Sequence, residues 1–186
     1  GGILMLKRRT DLALEAKALW EESAQEETKL EGVEAREETR EGFPLTTVKI
    51  LNQQGAEALG KPVGTYVTLQ LDGLLRREEG AFPRGAAAIA RGIRALLPPL
   101  EETACTLVIG LGNRAITPDA VGPKAADHVL ATRHLEGERL PLRPVAALSA
   151  GVLGTTGLES GEVTAAVAAK IRPGAVLAVD ALAARS

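Results

Sequence analysis

Asp119 and Asp180 are the residues whose type and setting could do chemistry. An apolar run at 106–109 (TLVI) leads through a glycine-rich loop to Asp119, and a second run, Ala175–Val179 (AVLAV), leads directly to Asp180. In open α/β sheets, ligands bind outside the carboxyl ends of the strands. Two carboxylates at close range there cannot both ionise easily. One keeps its proton at a pH where the other is charged, which sets an acid beside a base. Such a pair can activate a water and protonate a leaving amine, the chemistry of peptide hydrolysis. The same pair could hold a divalent metal if a histidine joined it. His128 and His134 are the only histidines. Both fall on a predicted helix, where solvent or core contacts are the ordinary role. Taken singly, each aspartate also has a plain reading. Asp119 suits the start of a helix, where a carboxylate meets the positive dipole end, and Asp180 suits a strand end, bonding loop amides.

The loop before Asp119 invites a second interpretation. Its residues GLGNRA fit the G-x-G-x-x-A dinucleotide fingerprint after a strand. That fingerprint needs a long helix to start at the loop. Pro118 would fall inside such a helix, removing a donor and clashing with the preceding turn, and Gly122-Pro123 would break it again. The nucleotide interpretation is therefore set aside. Gly110 and Gly112 instead let the chain leave the strand sharply, Asn113 supports the loop, and Thr117-Pro118 start a short helical turn that presents Asp119.

The elements needed to position these acids can be read from the pattern. In the second half, strands are expected at 106–109, 144–148 and 175–179. Helices are expected at 123–134, with Pro123 in the first turn, and at 160–171, with Ser160 as cap and Pro173 beyond the end. Strand–helix alternation with continuous apolar strands predicts a parallel sheet with crossover helices. In the first half, 10–24 has apolar residues at helical spacing with Thr10 as cap. Residues 26–41 are dense in glutamate and read as a solvated helix or a linker. Residues 46–51 and 66–71 alternate and read as a hairpin-type pair at a sheet edge, with a turn at 60–64. Residues 86–97 read as a helix closed by Pro98-Pro99. No internal repeat is evident.

Composition bounds the rest. The chain has 186 residues, 45% apolar and 25% charged, with aromatics at 2% and a net charge of −2. That is an ordinary globular composition with a core of Val, Leu, Ile and Ala. The absence of a basic block argues against nucleic acid as the main partner. Cys105 is the sole cysteine and lies in an apolar run, so it reads as core packing, and a reducing compartment is the simplest home. No apolar run is long enough to cross a membrane. The basic residues at 7–9 lack a following apolar segment, so they do not read as a secretory signal.

At the residues around the two aspartates the sequence resembles the germination protease family of spore-forming bacteria. GLGN followed by TPDAVGP, then RPVAAL, GVLGTTGLES and VDALAARS, carry the resemblance. RTDLALEA and TTVKILNQQGAEALGKPVGTYVTLQL extend it over most of the chain. Arg114-Ala115 departs from a more apolar stretch expected after GN and reads as loop variation. The resemblance implies an endopeptidase that degrades small acid-soluble spore proteins during germination. It implies a zymogen that processes itself and assembles as a homotetramer in the spore cytoplasm. It implies an α/β three-layer sandwich with a mostly parallel central sheet, similar to hydrogenase maturation proteases. By motif, the catalytic pair falls on Asp119 and Asp180, with Gly110, Gly112 and Asn113 as loop support and no metal or other cofactor. The propeptide would be residues 1–11, cut between Asp11 and Leu12, leaving 12–186 as a single peptidase domain. Family members continue past VDALAARS, so that domain is expected to be truncated at its C-terminus. The alternatives are a metal-dependent maturation-type peptidase and a non-catalytic peptide-binding domain of the same fold.

Overall fold

The structure is a computed structural model that describes residues 2–5, 30–135 and 142–181. The expected helix at 10–24 and the expected scissile pair Asp11 and Leu12 lie outside the described residues. The chain divides into two compact units, Gly1–Leu97 and Pro98–Ser186.

The first unit is built on a four-stranded sheet of order β1-β4-β3-β2. Its strands are β1 (Gly2–Met5), β2 (Val33–Arg40), β3 (Phe43–Ile50) and β4 (Gly64–Leu69). Strands β2 and β3 form an antiparallel hairpin in which Arg40 faces Phe43. The two residues between them, Glu41 and Gly42, both have positive φ, at 53° and 83°. Two left-handed residues twist the chain in the sense that the flanking strands require. Strand β4 pairs antiparallel with β3 and parallel with β1. On one face Val33, Val48, Ile50 and Tyr66 pack with Ala56 and Leu59 of α1 (Gln53–Leu59). On the other, Phe43, Leu45, Val67 and Leu69 pack with Ala81 and Ala88 of α3 (Ala81–Leu96), which follows the short α2 (Asp72–Leu75).

Two expectations change here. The pair at 46–51 and 66–71 is antiparallel as expected, but α1 lies between the strands in sequence, and both strands are interior to the sheet. Within 26–41, residues 33–40 form a strand rather than a helix or linker. Val33 and Ala35 turn toward the core while Glu34 and Arg36 turn outward. The alternation was hidden because the outward positions are filled with ionic side chains that pair along the strand, Arg40–Glu38 at 2.6 Å and Arg36–Glu38 at 3.3 Å. Residues two apart share a strand face, so such pairs fit an extended backbone.

The second unit holds a three-stranded parallel sheet of order β6-β5-β7. Its strands are β5 (Thr106–Leu111), β6 (Val145–Gly151) and β7 (Ala175–Val179). Helix α4 (Val121–Asp127) touches all three strands, meeting the face that Gly110 presents. After the short α5 (Leu153–Thr156), helix α6 (Ser160–Ile171) covers the opposite face. There Val163, Val167, Ala168 and Ile171 close over Leu107, Ile109 and Ala150. Helix, sheet and helix make three layers, as the right-handed crossover rule requires when β5 to β6 and β6 to β7 run in opposite directions across the sheet. The fold is thus α/β, with parallel pairing throughout this unit and a mainly antiparallel sheet in the first.

Two local details differ from expectation. Helix α4 stops at Asp127 rather than running to His134. Thr132 is needed elsewhere, because its Oγ1 donates to the Arg143 carbonyl at 2.6 Å and accepts from Val145 N–H at 2.9 Å, fastening the start of β6. Helix α6 is capped by Glu159 in a reciprocal box with Glu162, one residue ahead of Ser160. Cys105 is buried, as expected of a packing residue.

Candidate active site

The site is shaped by side chains that are missing. Gly122, in the first turn of α4, lies so close to the sheet that a Cβ would sit 2.1 Å from the Leu111 carbonyl oxygen and 2.3 Å from that of Val179. The helix therefore starts directly on the ends of β5 and β7. Across the same seam, a Cβ on Gly110 would meet the Gly122 carbonyl oxygen at 2.3 Å. Gly112 has φ of 113°, and a Cβ there would strike the Asp119 carbonyl oxygen at 2.2 Å. Each of these positions has room for hydrogen alone.

That close approach brings Asp119 to the end of β5. A 3-10 turn at Thr117–Asp119, with Pro118 inside it, precedes α4. The break expected from Pro118 is thus present. The Asp119 carboxylate accepts the Asn113 N–H at 2.5 Å. Asn113 in turn braces the loop, its Oδ1 accepting the Ala115 N–H at 2.9 Å and its carbonyl the Ile116 N–H at 3.1 Å. Gly112, Asn113 and Asp119 therefore lie in one contiguous loop that leaves β5 just past Gly110.

Asp180 follows β7 immediately and is exposed. Its Oδ1 accepts the N–H of Ala181 at 2.9 Å. Val179 is in register with Gly110 across the parallel β5–β7 ladder, so Asp180 stands at the same sheet end as the loop holding Asp119. The two carboxylates do not hydrogen-bond to each other, and each is held by a backbone N–H. Asp180 is exposed and Asp119 half-buried at this sheet end, the end at which open α/β sheets bind ligands.

Arg114, read from sequence as loop variation, has more to do. Its two terminal nitrogens grip both oxygens of Asp127 at the end of α4, one at 2.9 Å, and Nη2 donates to Ser149 Oγ at 3.3 Å. Hydrogen bonding to Asp127 pushes the Arg114 guanidinium above its ordinary value. The same bond, with help from the charges of Arg114 and His128 and against desolvation, holds the Asp127 carboxyl below the usual carboxylate range. One signal could have exposed this pair. Asp127 is the last residue of α4, where the helix dipole disfavours an acid unless a cation offsets it.

His128 Nδ1 lies 2.8 Å from the Lys124 carbonyl oxygen, a local helix contact. Among the described residues, no three His, Cys, Asp or Glu side chains come together as metal ligands would. No helix among them is long and apolar enough to cross a membrane.

Residues 13–186 match the family model described as germination protease. The germination protease of Caldanaerobacter subterraneus subsp. tengcongensis is 43% identical, over 98% of this chain and 56% of its own length. Those of Clostridium tetani and Priestia megaterium are 40% and 38% identical, over 95% and 96% of this chain and 55% and 50% of their own lengths. The chain thus spans about half the length of the curated relatives it matches.

Proposed function

The chain belongs to the germination protease family, and from that premise we propose that it carries the water-activating aspartate pair of a spore-germination endopeptidase. Asp119 and Asp180 form the pair. One, as the carboxylate, takes a proton from water while the water oxygen bonds to the scissile carbonyl carbon. The other, as the acid, gives its proton to the amide nitrogen as the carbon–nitrogen bond breaks. The observation that supports this reading is the β5–β7 ladder, in which Gly110 pairs with Val179, so that Asp180 follows β7 at the sheet end from which the Asp119 loop departs. Gly110, Gly112 and Asn113 shape the loop that holds Asp119.

The substrates under this reading are small acid-soluble spore proteins, and the enzyme is a homotetrameric, self-processing zymogen of the spore cytoplasm cut between Asp11 and Leu12. What supports these finer points is the motif resemblance over most of the chain. The three layers of the second unit support a fold shared with hydrogenase maturation proteases.

The test is cleavage of a small acid-soluble spore protein by the full-length enzyme and its variants. Asp119→Asn and Asp180→Asn should each lower kcat by at least about 100-fold, the scale of lost acid–base catalysis. Parental rates in either variant would remove that residue from the pair.

A further inference from the structure

The loop that carries the proposed site buries none of its own residues. From Gly112 to Asp119 every residue is half-buried or exposed, and Arg114 to Pro118 are all exposed. Apolar burial therefore does little to hold the loop, and polar contacts must do so. Those made by Asn113 are internal, to Ala115, Ile116 and Asp119. Arg114 reaches outward instead, to Asp127 on α4 and Ser149 on β6.

Resting on the reading of Asp119 as one of the hydrolytic pair, we propose that Arg114 is a positioning residue that latches the loop to Asp127 and Ser149 and so holds the Asn113 N–H against the Asp119 carboxylate. The chemistry suits a latch. A planar guanidinium gripping both oxygens of a carboxylate fixes orientation as well as distance, which an ammonium cannot do. Arg114 is the next residue after Asn113, so fixing its side chain limits the turn of the Asn113 peptide. On the other side stands Gly112, which packs against Asp119 but has no side chain with which to anchor the loop. Ser149 faces Gly110 in the β5–β6 register, so the latch closes against the strand from which the loop departs. Asp127 ends α4, where the dipole makes an unpaired acid unfavourable. The cation meets that need while it anchors the loop.

The test uses the full chain with Arg114→Ala, Arg114→Lys and Asp127→Asn, and reads amide hydrogen exchange at Asn113 by NMR. The β5 amides of Leu107 and Ile109 report whether the sheet stays folded. In Arg114→Ala and Asp127→Asn, Asn113 should exchange about threefold faster, the scale of an exposed ion pair, with the β5 amides unchanged. Arg114→Lys should fall between these and the parent. In peptide cleavage the same variants should lower kcat and leave KM in place. Parental Asn113 exchange in both Arg114→Ala and Asp127→Asn overturns the proposal. So does a raised KM at unchanged kcat, which would make Arg114 a substrate contact. If Arg114→Ala disturbs the β5 amides, Asp127→Asn and Arg114→Lys decide the matter. The exchange measurement does not depend on catalysis. A fully active Asp119→Asn would sink the hydrolytic reading and leave the latch standing or falling on Asn113 alone.

Discussion

The two units differ in how far their sheets are filled and in where the backbone sets the fit. In Gly1–Leu97 the central strands β3 and β4 are filled on both faces, with Val48, Ile50 and Tyr66 on one and Leu45, Val67 and Leu69 on the other. In Pro98–Ser186 the centre of the sheet is just as dry, with Leu107 and Ile109 buried, but β7 leaves Val176 46% exposed. The close fit there lies at Gly110, Gly112 and Gly122, where backbone meets backbone. Large buried side chains fill both sheets, while at the site missing ones set the fit. Deleting volume should therefore injure the filled strands more than the open edge at β7, and adding it should injure the site.

The largest effect is expected from deleting volume. Leu45→Ala removes a side chain that is 2% exposed, at the heart of a packed face. It should cost about 2–5 kcal/mol of stability, transfer and cavity terms together. Val176→Ala, at the open strand, should cost well under about 1 kcal/mol. Urea unfolding of both variants checks the contrast. Equal losses would mean that β7 is packed as tightly as β3 and would erase the distinction.

Adding volume comes next. Gly122→Ala would place a methyl into two carbonyl oxygens, so α4 must lift from β5 and β7. Overpacking of that kind costs about 1–3 kcal/mol, and here it also moves the loop that presents Asp119. Gly154→Ala in α5 is the matched control. A Cβ there meets nothing within 4 Å, and alanine in a helix is favoured over glycine by up to about 1 kcal/mol. The first variant should lose stability and cleavage together, whereas the second should lose neither. Wild-type behaviour of Gly122→Ala would show that the seam has slack.

The same contrast explains how much the sequence disclosed. Strand β5 announced itself as a continuous apolar run because it is covered on both faces, and β7 reads as the same kind of run although Val176 stays 46% exposed at the sheet edge. Pro118 announced the break before α4, since no helix runs through it undisturbed. The residues of the loop were legible for the same reason, glycine and proline being local statements about backbone. Strand β2 was not legible, because its inward positions are only Val33 and Ala35 and its outward ones are charged. Nor was the Arg114 latch. Its partners lie 13 and 35 residues away, and the pairing of β5 with β6 is what makes Ser149 a neighbour. Contacts that depend on register cannot be seen before the sheet is assembled.

The smallest effect belongs to that latch, and it tests whether charge adds a third means of holding the second unit. The folded Asp127 carboxyl is held below its ordinary value, first by the Arg114 hydrogen bond. A group with a depressed folded pKa contributes stability that is present above its unfolded pKa and lost as pH falls through the folded one. Stability of the parent relative to Asp127→Asn should therefore be highest near neutrality. It should shrink on the acid side, once the pH drops below the ordinary carboxylate range, and vanish where Asp127 is protonated in both states. Side chains that are 56% and 43% exposed are open to screening, so added salt should flatten the difference. Thermal melts of the two proteins across that pH range, at low and high salt, give the answer. A difference that persists unchanged into strong acid would mean that Asp127 supports α4 by packing, and the charge would drop out of the comparison.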